Sequence, residues 1–381
     1  MEDKQELIFK EHDTVFDQYK IIKEIARGGM NSYIYLAEDL KNKNHLTGNC
    51  FVAIKVINRT SEMTIDDWNR FYDECVTSIR VSGLPNVIET YRVKKSEDDQ
   101  NIIVVMEYVN GESLRSVLNK QGQLTLNEAL FLFKKLLVAL KSLYSFNHKI
   151  IHRDLKPENI LLSKDRTELK LIDFGIASVI NQTKKGISTK LITNESQLFG
   201  TYPYLSPDLL KALSTDNEEE KLSVINEQCD FFSIGIILYE MLTGNKPFVA
   251  SDYTKEEVIQ LPLKYDLPDL HRINPKIPLW IENVIFRCIA SKPEDIKYRY
   301  NNIDEIINEV NQMIASPDLA SQQHLLKPYR NRVMQNASFN IDKEKSKSKF
   351  YNAPWFFFSM AWLTGLLVLT AIILVIIYHV I

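Results

Sequence analysis

The chain has 381 residues, room for one large or two ordinary domains, and 45% hydrophobic content supplies a real core. A formal net charge of -3 gives no broad basic footprint, which argues against nucleic acid as a partner. The four cysteines, Cys50, Cys75, Cys229 and Cys288, lack CxxC or metal-ligand spacing, so a disulfide framework and a thiolate metal site are both disfavoured and reduced thiols fit.

Met1 to Glu11 is charged and has no apolar stretch, so it is no secretory signal, and residues 1–17 read as a tail. Residues 18–108 hold five β-like runs, Tyr19 to Ile25, Tyr33 to Ala37, Phe51 to Ile57, Val87 to Val93 and Ile102 to Tyr108, which predict a small five-stranded lobe. Between the first two lies Ala26-Arg27-Gly28-Gly29-Met30-Asn31, where glycines let backbone amides approach a polyphosphate; a plain hairpin turn accounts for these residues equally well. Val52-Ala53-Ile54-Lys55 puts a lysine on a buried strand, where by itself it fits a side chain that snorkels to solvent. Thr64-Ile65-Asp66-Asp67 resembles a helix start, and Trp68, Phe71, Cys75 and Ile79 recur at helical spacing. Glu74 rides beside that apolar face, with Asp73 as the neighbouring alternative. Met106-Glu107-Tyr108-Val109 followed by Asn110-Gly111 changes from strand to turn.

Residues 109–314 predict a larger, mainly helical unit. Thr125-Leu126-Asn127-Glu128 has capping-box spacing, and Leu130, Phe133, Leu137, Leu140 and Tyr144 line one face of the helix that follows. Ile150 to Gly175 then sets Asp154, Asn159 and Asp173 between short apolar runs that pair through a Lys164-Asp165 turn. Two carboxylates and a carboxamide at one spot call for a hard cation, and oxygen ligands suit magnesium better than zinc. A polar segment runs on to Gly200 and reads as a surface loop with a function. Phe231 to Leu242 is apolar on nearly every face, the mark of a buried central helix. Residues 315–350 form a polar linker ending in Lys343, Lys345, Lys347 and Lys349. In residues 351–381, Trp355 to Tyr378 is uncharged and apolar; about 24 residues span roughly 36 Å, enough for a transmembrane helix. The lysines before it predict a cytoplasmic position for everything upstream.

His152-Arg153-Asp154-Leu155-Lys156-Pro157-Glu158-Asn159 followed by Asp173-Phe174-Gly175 resembles the catalytic loop and metal-binding turn of the eukaryotic-like protein kinases, and Lys156 resembles their serine/threonine branch. The resemblance implies an α+β bilobal kinase fold, a five-stranded lobe with one helix beside a mainly helical lobe, plus the C-terminal transmembrane helix. It implies that Asp154 accepts the substrate hydroxyl proton, Lys156 steadies the transferred phosphoryl group, and Asn159 and Asp173 hold magnesium, with manganese as a substitute. Lys55 would hold the α- and β-phosphates of ATP and pair with Glu74. Gly28, Gly29 and Met30 resemble the glycine-rich loop, with Ala26 and Asn31 departing from its first and third glycines and the turn one residue longer. Ile34, Ala53 and Leu161 match the walls around the base, Glu107 and Val109 the backbone that reads adenine, and Met106 the gatekeeper. Arg153 would meet a phosphate on the 176–200 loop, Asp208 would pair with Arg299, and Asp230 would brace the catalytic loop. The function implied is a serine/threonine protein kinase of the bacterial membrane-anchored type, phosphorylating protein substrates and its own activation loop, single-pass in the cell membrane, with a homodimer left open. The alternative is a membrane-tethered pseudokinase scaffold.

Overall fold

The computed structural model describes residues 8–28, 32–41, 50–61, 63–146, 149–173, 202–214, 225–248, 261–263 and 266–326. Among these no helix is long and apolar enough to cross a membrane. The 355–378 segment, the juxtamembrane lysines and the 174–201 segment lie outside the described residues.

The small lobe is one antiparallel sheet of six strands: β1 (Thr14–Val15), β2 (Tyr19–Gly28), β3 (Ser32–Asp39), β4 (Phe51–Asn58), β5 (Thr90–Lys95) and β6 (Asn101–Glu107), in the order β1-β2-β3-β4-β6-β5. Alternation along the strands sorts side chains to two faces. Tyr33, Tyr35, Val52, Ile54, Val56, Ile103 and Val105 fill the outer core. The opposite face buries Ile57, Val93, Ile102 and Val104 under helix α1 (Ile65–Arg80). Thr64 caps α1 by accepting the Asp67 N–H at 3.2 Å, at the start that the sequence predicts.

Three expectations for this lobe need correction. The sheet has six strands instead of five, because the predicted tail is partly folded: Thr14–Val15 pairs with β2, Val15 is buried, and Ile8, Phe9 and Phe16 pack on the outer core. The run Val87 to Val93 is strand only from Thr90. Val87 and Ile88 are buried against the other lobe instead, where Val87 bridges Leu171 and the Ile88 N–H reaches the Leu171 carbonyl at 3.0 Å. Ile79, expected on the docking face of α1, is exposed at the helix end, while Thr77 and Ser78 turn inward.

The large lobe is built around α5 (Glu227–Thr243), buried along nearly its whole length, capped by Asn226 and ended by Gly244 in the left-handed region at φ 71°. Before it come α2 (Leu114–Gln121), α3 (Leu126–Tyr144) and α4 (Pro207–Ser214); after it come α6 (Leu270–Ile273), α7 (Leu279–Ile289), α8 (Ile303–Ala315) and α9 (Pro317–Ser321). A second sheet, β7 (Gly111–Ser113), β8 (Ile160–Ser163) and β9 (Leu169–Leu171), pairs the segment just after β6 with the hairpin that follows Asn159. Gly235 lets α5 and α7 approach closely, since a Cβ there would stand 2.7 Å from Ile289 Cγ2 and 2.8 Å from Cys288 Cβ. Gly235→Ala should therefore lower stability by about 1–3 kcal/mol through overpacking. A melting midpoint equal to the parent's would show that the two helices separate freely.

Candidate active site

Sheet register sorts the residues expected around a nucleotide. Ile34 lies directly across from Lys55, Leu36 across from Ala53, and Val104 and Met106 across from Lys55 and Ala53 on the other side. Directly paired residues share a face, so Ile34, Ala53, Lys55, Val104 and Met106 line one side of the sheet. Gly28 pairs with Ser32 at the turn, and a Cβ on it would meet Ser32 Oγ at 2.4 Å. Gly29 and Met30 lie outside the described residues. Val109 follows β6 in the hinge, and Leu161 sits on β8, half-buried, two residues after Asn159.

The hinge has its own tie. Glu107 Oε2 accepts Lys170 Nζ at 2.8 Å, joining the end of β6 to β9, and the Glu107 N–H bonds the Glu89 carbonyl at 2.9 Å.

Around residue 154 the described side chains converge. Lys156 Nζ lies 3.0 Å and 2.9 Å from the two carboxylate oxygens of Asp154. Asn159 Nδ2 donates to the Asp154 carbonyl at 2.8 Å and to Asp154 Oδ2 at 2.9 Å. This turns the Asn159 amide oxygen away from Asp154. The Ile172 N–H bonds the Asn159 carbonyl at 2.9 Å, which sets Asn159 beside the residue before Asp173. His152 is fully buried; its Nε2 donates to the Ile172 carbonyl at 3.1 Å, and its Nδ1 accepts the Asp154 N–H at 3.3 Å, so one tautomer serves both bonds.

Lys55 crosses from the small lobe to make a charge-assisted bond with Asp173 Oδ1. Burial opposes ionisation of Asp173, and Lys55, helped by Lys156, overcomes it and holds the carboxyl below its ordinary value. A depressed folded pKa means that the pair's stabilisation is complete above the unfolded value and is lost as pH falls through the folded one. Asp173 therefore stays ionised across neutral pH. Glu74 lies on α1, but its side chain is outside the described residues, so Asp173 is the partner of Lys55 on view.

A divalent cation fits this donor set. Asp173, just after β9, supplies a carboxylate, and Asn159, just before β8, a carboxamide oxygen, both hard ligands. No group of three His, Cys, Asp or Glu among the described residues forms a protein-only cage. A cation with phosphate and water as its remaining ligands suits such a two-residue set.

Behind the loop stands Asp230, fully buried at the start of α5. Its carboxylate accepts the His152 N–H at 2.8 Å, the Arg153 N–H at 2.8 Å and the Tyr144 hydroxyl at 2.9 Å. Burial pushes its carboxyl up, and the three donors oppose that. Arg153 is buried with a left-handed φ of 65°, and Asp173 has φ 61°, backbone held off its preference on both sides of the site. Arg299 reaches Asp208 at 2.6 Å despite the shorter acid, because its Nε is fixed by the Ala290 carbonyl at 2.6 Å. One cluster escapes the sequence reading. Arg115 on α2 bonds Glu158 Oε1 at 2.7 Å and Glu240 Oε1 at 2.8 Å, and the Tyr204 hydroxyl joins them. It fastens the end of the catalytic loop to α5.

Comparison with known proteins follows the same lines. The model of the protein kinase domain family matches residues 20–307. A Mycoplasma pneumoniae protein that carries the name serine/threonine-protein kinase is 37% identical over 367 residues, 90% of each chain. One of the same name from Mycoplasma genitalium is 37% identical over 347 residues, 87% of each. Serine/threonine-protein kinase PrkC of Bacillus subtilis is 28% identical over 89% of this chain and 50% of its own length.

Proposed function

We infer, for a chain that belongs to the protein kinase domain family and is a protein serine/threonine kinase of the bacterial eukaryotic-like kind, that its catalytic loop transfers the terminal phosphate of magnesium ATP to protein hydroxyls, including those of its own 176–200 loop. The observation that carries this reading is the joint placement of Asp154, Lys156 and Asn159 in one bonded group, with Lys55 reaching Asp173 beside it. Asp154 Oδ accepts the proton of the attacking hydroxyl as the new oxygen–phosphorus bond forms and the bond from the γ-phosphorus to the β–γ bridging oxygen breaks, releasing ADP. Lys156 keeps that carboxylate oriented and offers positive charge where the phosphoryl group passes. Lys55 draws the nucleotide's phosphates onto the small-lobe face that Ile34, Ala53 and Met106 line, with Glu107 and Val109 offering hinge backbone to the base. Magnesium, held by Asn159 and Asp173, supplies charge neutralisation of the phosphates when bound. A pseudokinase scaffold, which the departures at Ala26, Asn31 and Asp208 would suggest, is disfavoured, since Lys55, Asp154, Asn159 and Asp173 are all present and Asp208 still meets Arg299.

The proposed boundaries are two lobes at 18–108 and 109–314, a linker at 315–350 and a membrane helix with its short tail at 351–381, the first lobe being extended back by the Thr14–Val15 strand. We place the kinase on the cytoplasmic side of the cell membrane, anchored by Trp355 to Tyr378. The hydropathy of that segment and the lysines before it support this. The anchor concentrates chains in a plane and favours a homodimer; activity per molecule that stays flat as surface density rises would remove that part.

The test is the full chain in vesicles with terminally labelled ATP and magnesium, beside Asp154→Asn. Label on serine or threonine in the parent alone is expected. No label in either, with nucleotide bound and a generic protein substrate plus manganese supplied, would turn the reading to a scaffold. Deleting 351–381 should move the chain from the membrane to the soluble fraction, and retention at the membrane would refute the anchor.

A further inference from the structure

α1 is held on the small lobe in two ways. Its inner face is apolar, with Trp68 and Phe71 buried against Ile57, Ile102 and Val104. Such contact resists lifting, but it is non-directional and leaves a helix free to roll or slide. Direction comes from the turn between β5 and β6. Asp99, in the left-handed region at φ 55°, accepts the Trp68 indole N–H at 3.3 Å and Lys95 Nζ at 2.9 Å. Lys95 also donates to Asn69 Oδ1 at 2.6 Å, and its ammonium lies 5.4 Å from the Tyr72 ring centroid and 6.0 Å from that of Trp68. All the contacts fall on the first two turns of α1.

We propose that this clip fixes the rotation and axial setting of α1, so that Trp68, Lys95 and Asp99 are positioning residues for the acid at position 74 opposite Lys55. The proposal rests on the reading of Glu74 as the partner of Lys55. Position 74 lies six residues beyond Trp68 on the same rigid helix. A slip of one residue in the docking of α1 would turn position 74 by about 100° and move it about 1.5 Å along the axis. A misplacement of about 1 Å at a phosphoryl-transfer site removes roughly 10²-fold in rate, so the clip has leverage without touching nucleotide or substrate. The directional bonds matter more than their strength, because Lys95 and Asp99 are partly open to solvent and an exposed pair adds little to stability.

The experiment uses the full chain with magnesium ATP and a generic protein substrate, and compares Asp99→Asn, Lys95→Met, Lys95→Arg, Glu74→Gln and the double variant Asp99→Asn with Glu74→Gln. Asp99→Asn and Lys95→Met should each lower kcat about ten-fold, inside that limit, with melting midpoints near the parent's. Lys95→Arg should keep most activity, since guanidinium donors can still serve Asp99 and Asn69. The double variant should be no slower than Glu74→Gln alone, because a clip that acts through position 74 has nothing left to place. Multiplying losses in the double variant, or an unchanged kcat in Asp99→Asn, would overturn the proposal. A Glu74→Gln enzyme as active as its parent would overturn it from the other side, by removing the acid that the clip is held to place.

Discussion

Asp154→Asn should lower kcat by about 10²–10⁴-fold, the range that a positioned general base contributes, while nucleotide binding stays near the parent's. The substitution keeps the shape of the side chain and much of its surroundings. Asn159 Nδ2 can still donate to the residue-154 carbonyl, and the backbone bond from Asp154 to His152 Nδ1 is untouched. What disappears is the charge that Lys156 brackets and the lone pair that takes the proton. Nucleotide contacts are expected from Lys55, Asp173 and the small-lobe face, none of which involves Asp154 directly. Single-turnover transfer and the dissociation constant for ADP, measured side by side, separate the two effects. A loss confined to ADP affinity, with transfer intact, would remove Asp154 as the base and make it a structural acid. Lys156→Met is the informative companion, since it frees the same carboxylate instead of deleting it. A smaller fall in kcat there would place the larger share of the effect on the proton acceptor.

Much of this arrangement is legible from the residues because the signal is local. Asp154, Asn159 and Asp173 stand out as polar groups in apolar surroundings, and the β8–β9 hairpin that Asn159 and Asp173 flank needs only nearby pairing. Thr64 and Thr125 cap their helices as the sequence predicts, because a cap is decided within four residues. Asp208 meets Arg299, and Asp230 the loop amides, only through the resemblance of the chain to a family; 78 residues separate Asp230 from His152, and no periodicity spans that. Arg115 and Glu240, 125 residues apart, carry no pattern at all. Val87 and Ile88 mislead for a different reason. A short apolar run reports burial and is silent on the partner, and theirs is β9 of the other lobe instead of β6. Thr14–Val15 is missed because two residues are too few to show an alternation, although Val15 is as buried as its neighbours in the sheet.

Asp230→Ala is expected to affect both stability and catalysis more severely than any surface change. Three buried donors, the His152 and Arg153 amides and the Tyr144 hydroxyl, would lose their acceptor together. Each unsatisfied donor costs about 1–3 kcal/mol, so the sum approaches the roughly 5–15 kcal/mol that holds an ordinary domain folded. The catalytic loop should suffer first. Arg153 sits at a left-handed φ, and the bond from its N–H to Asp230 Oδ1 helps hold that backbone immediately before Asp154. Released, the turn can relax and carry the Asp154 carboxylate out of register with Lys156. Asp230→Ala itself is read by its melting midpoint, and two gentler changes complete the test. Tyr144→Phe removes one donor and leaves both amides bound, and should cost about 1 kcal/mol with activity largely kept. Asp230→Asn keeps one acceptor oxygen but turns an NH₂ toward a donor, and should lose kcat well below its melting transition while ADP still binds. If Asp230→Asn fell in stability alone and kept the parent's kcat while folded, Asp230 would be a packing residue, and the geometry of the loop before Asp154 would have to be held by Arg115 and Glu158 instead.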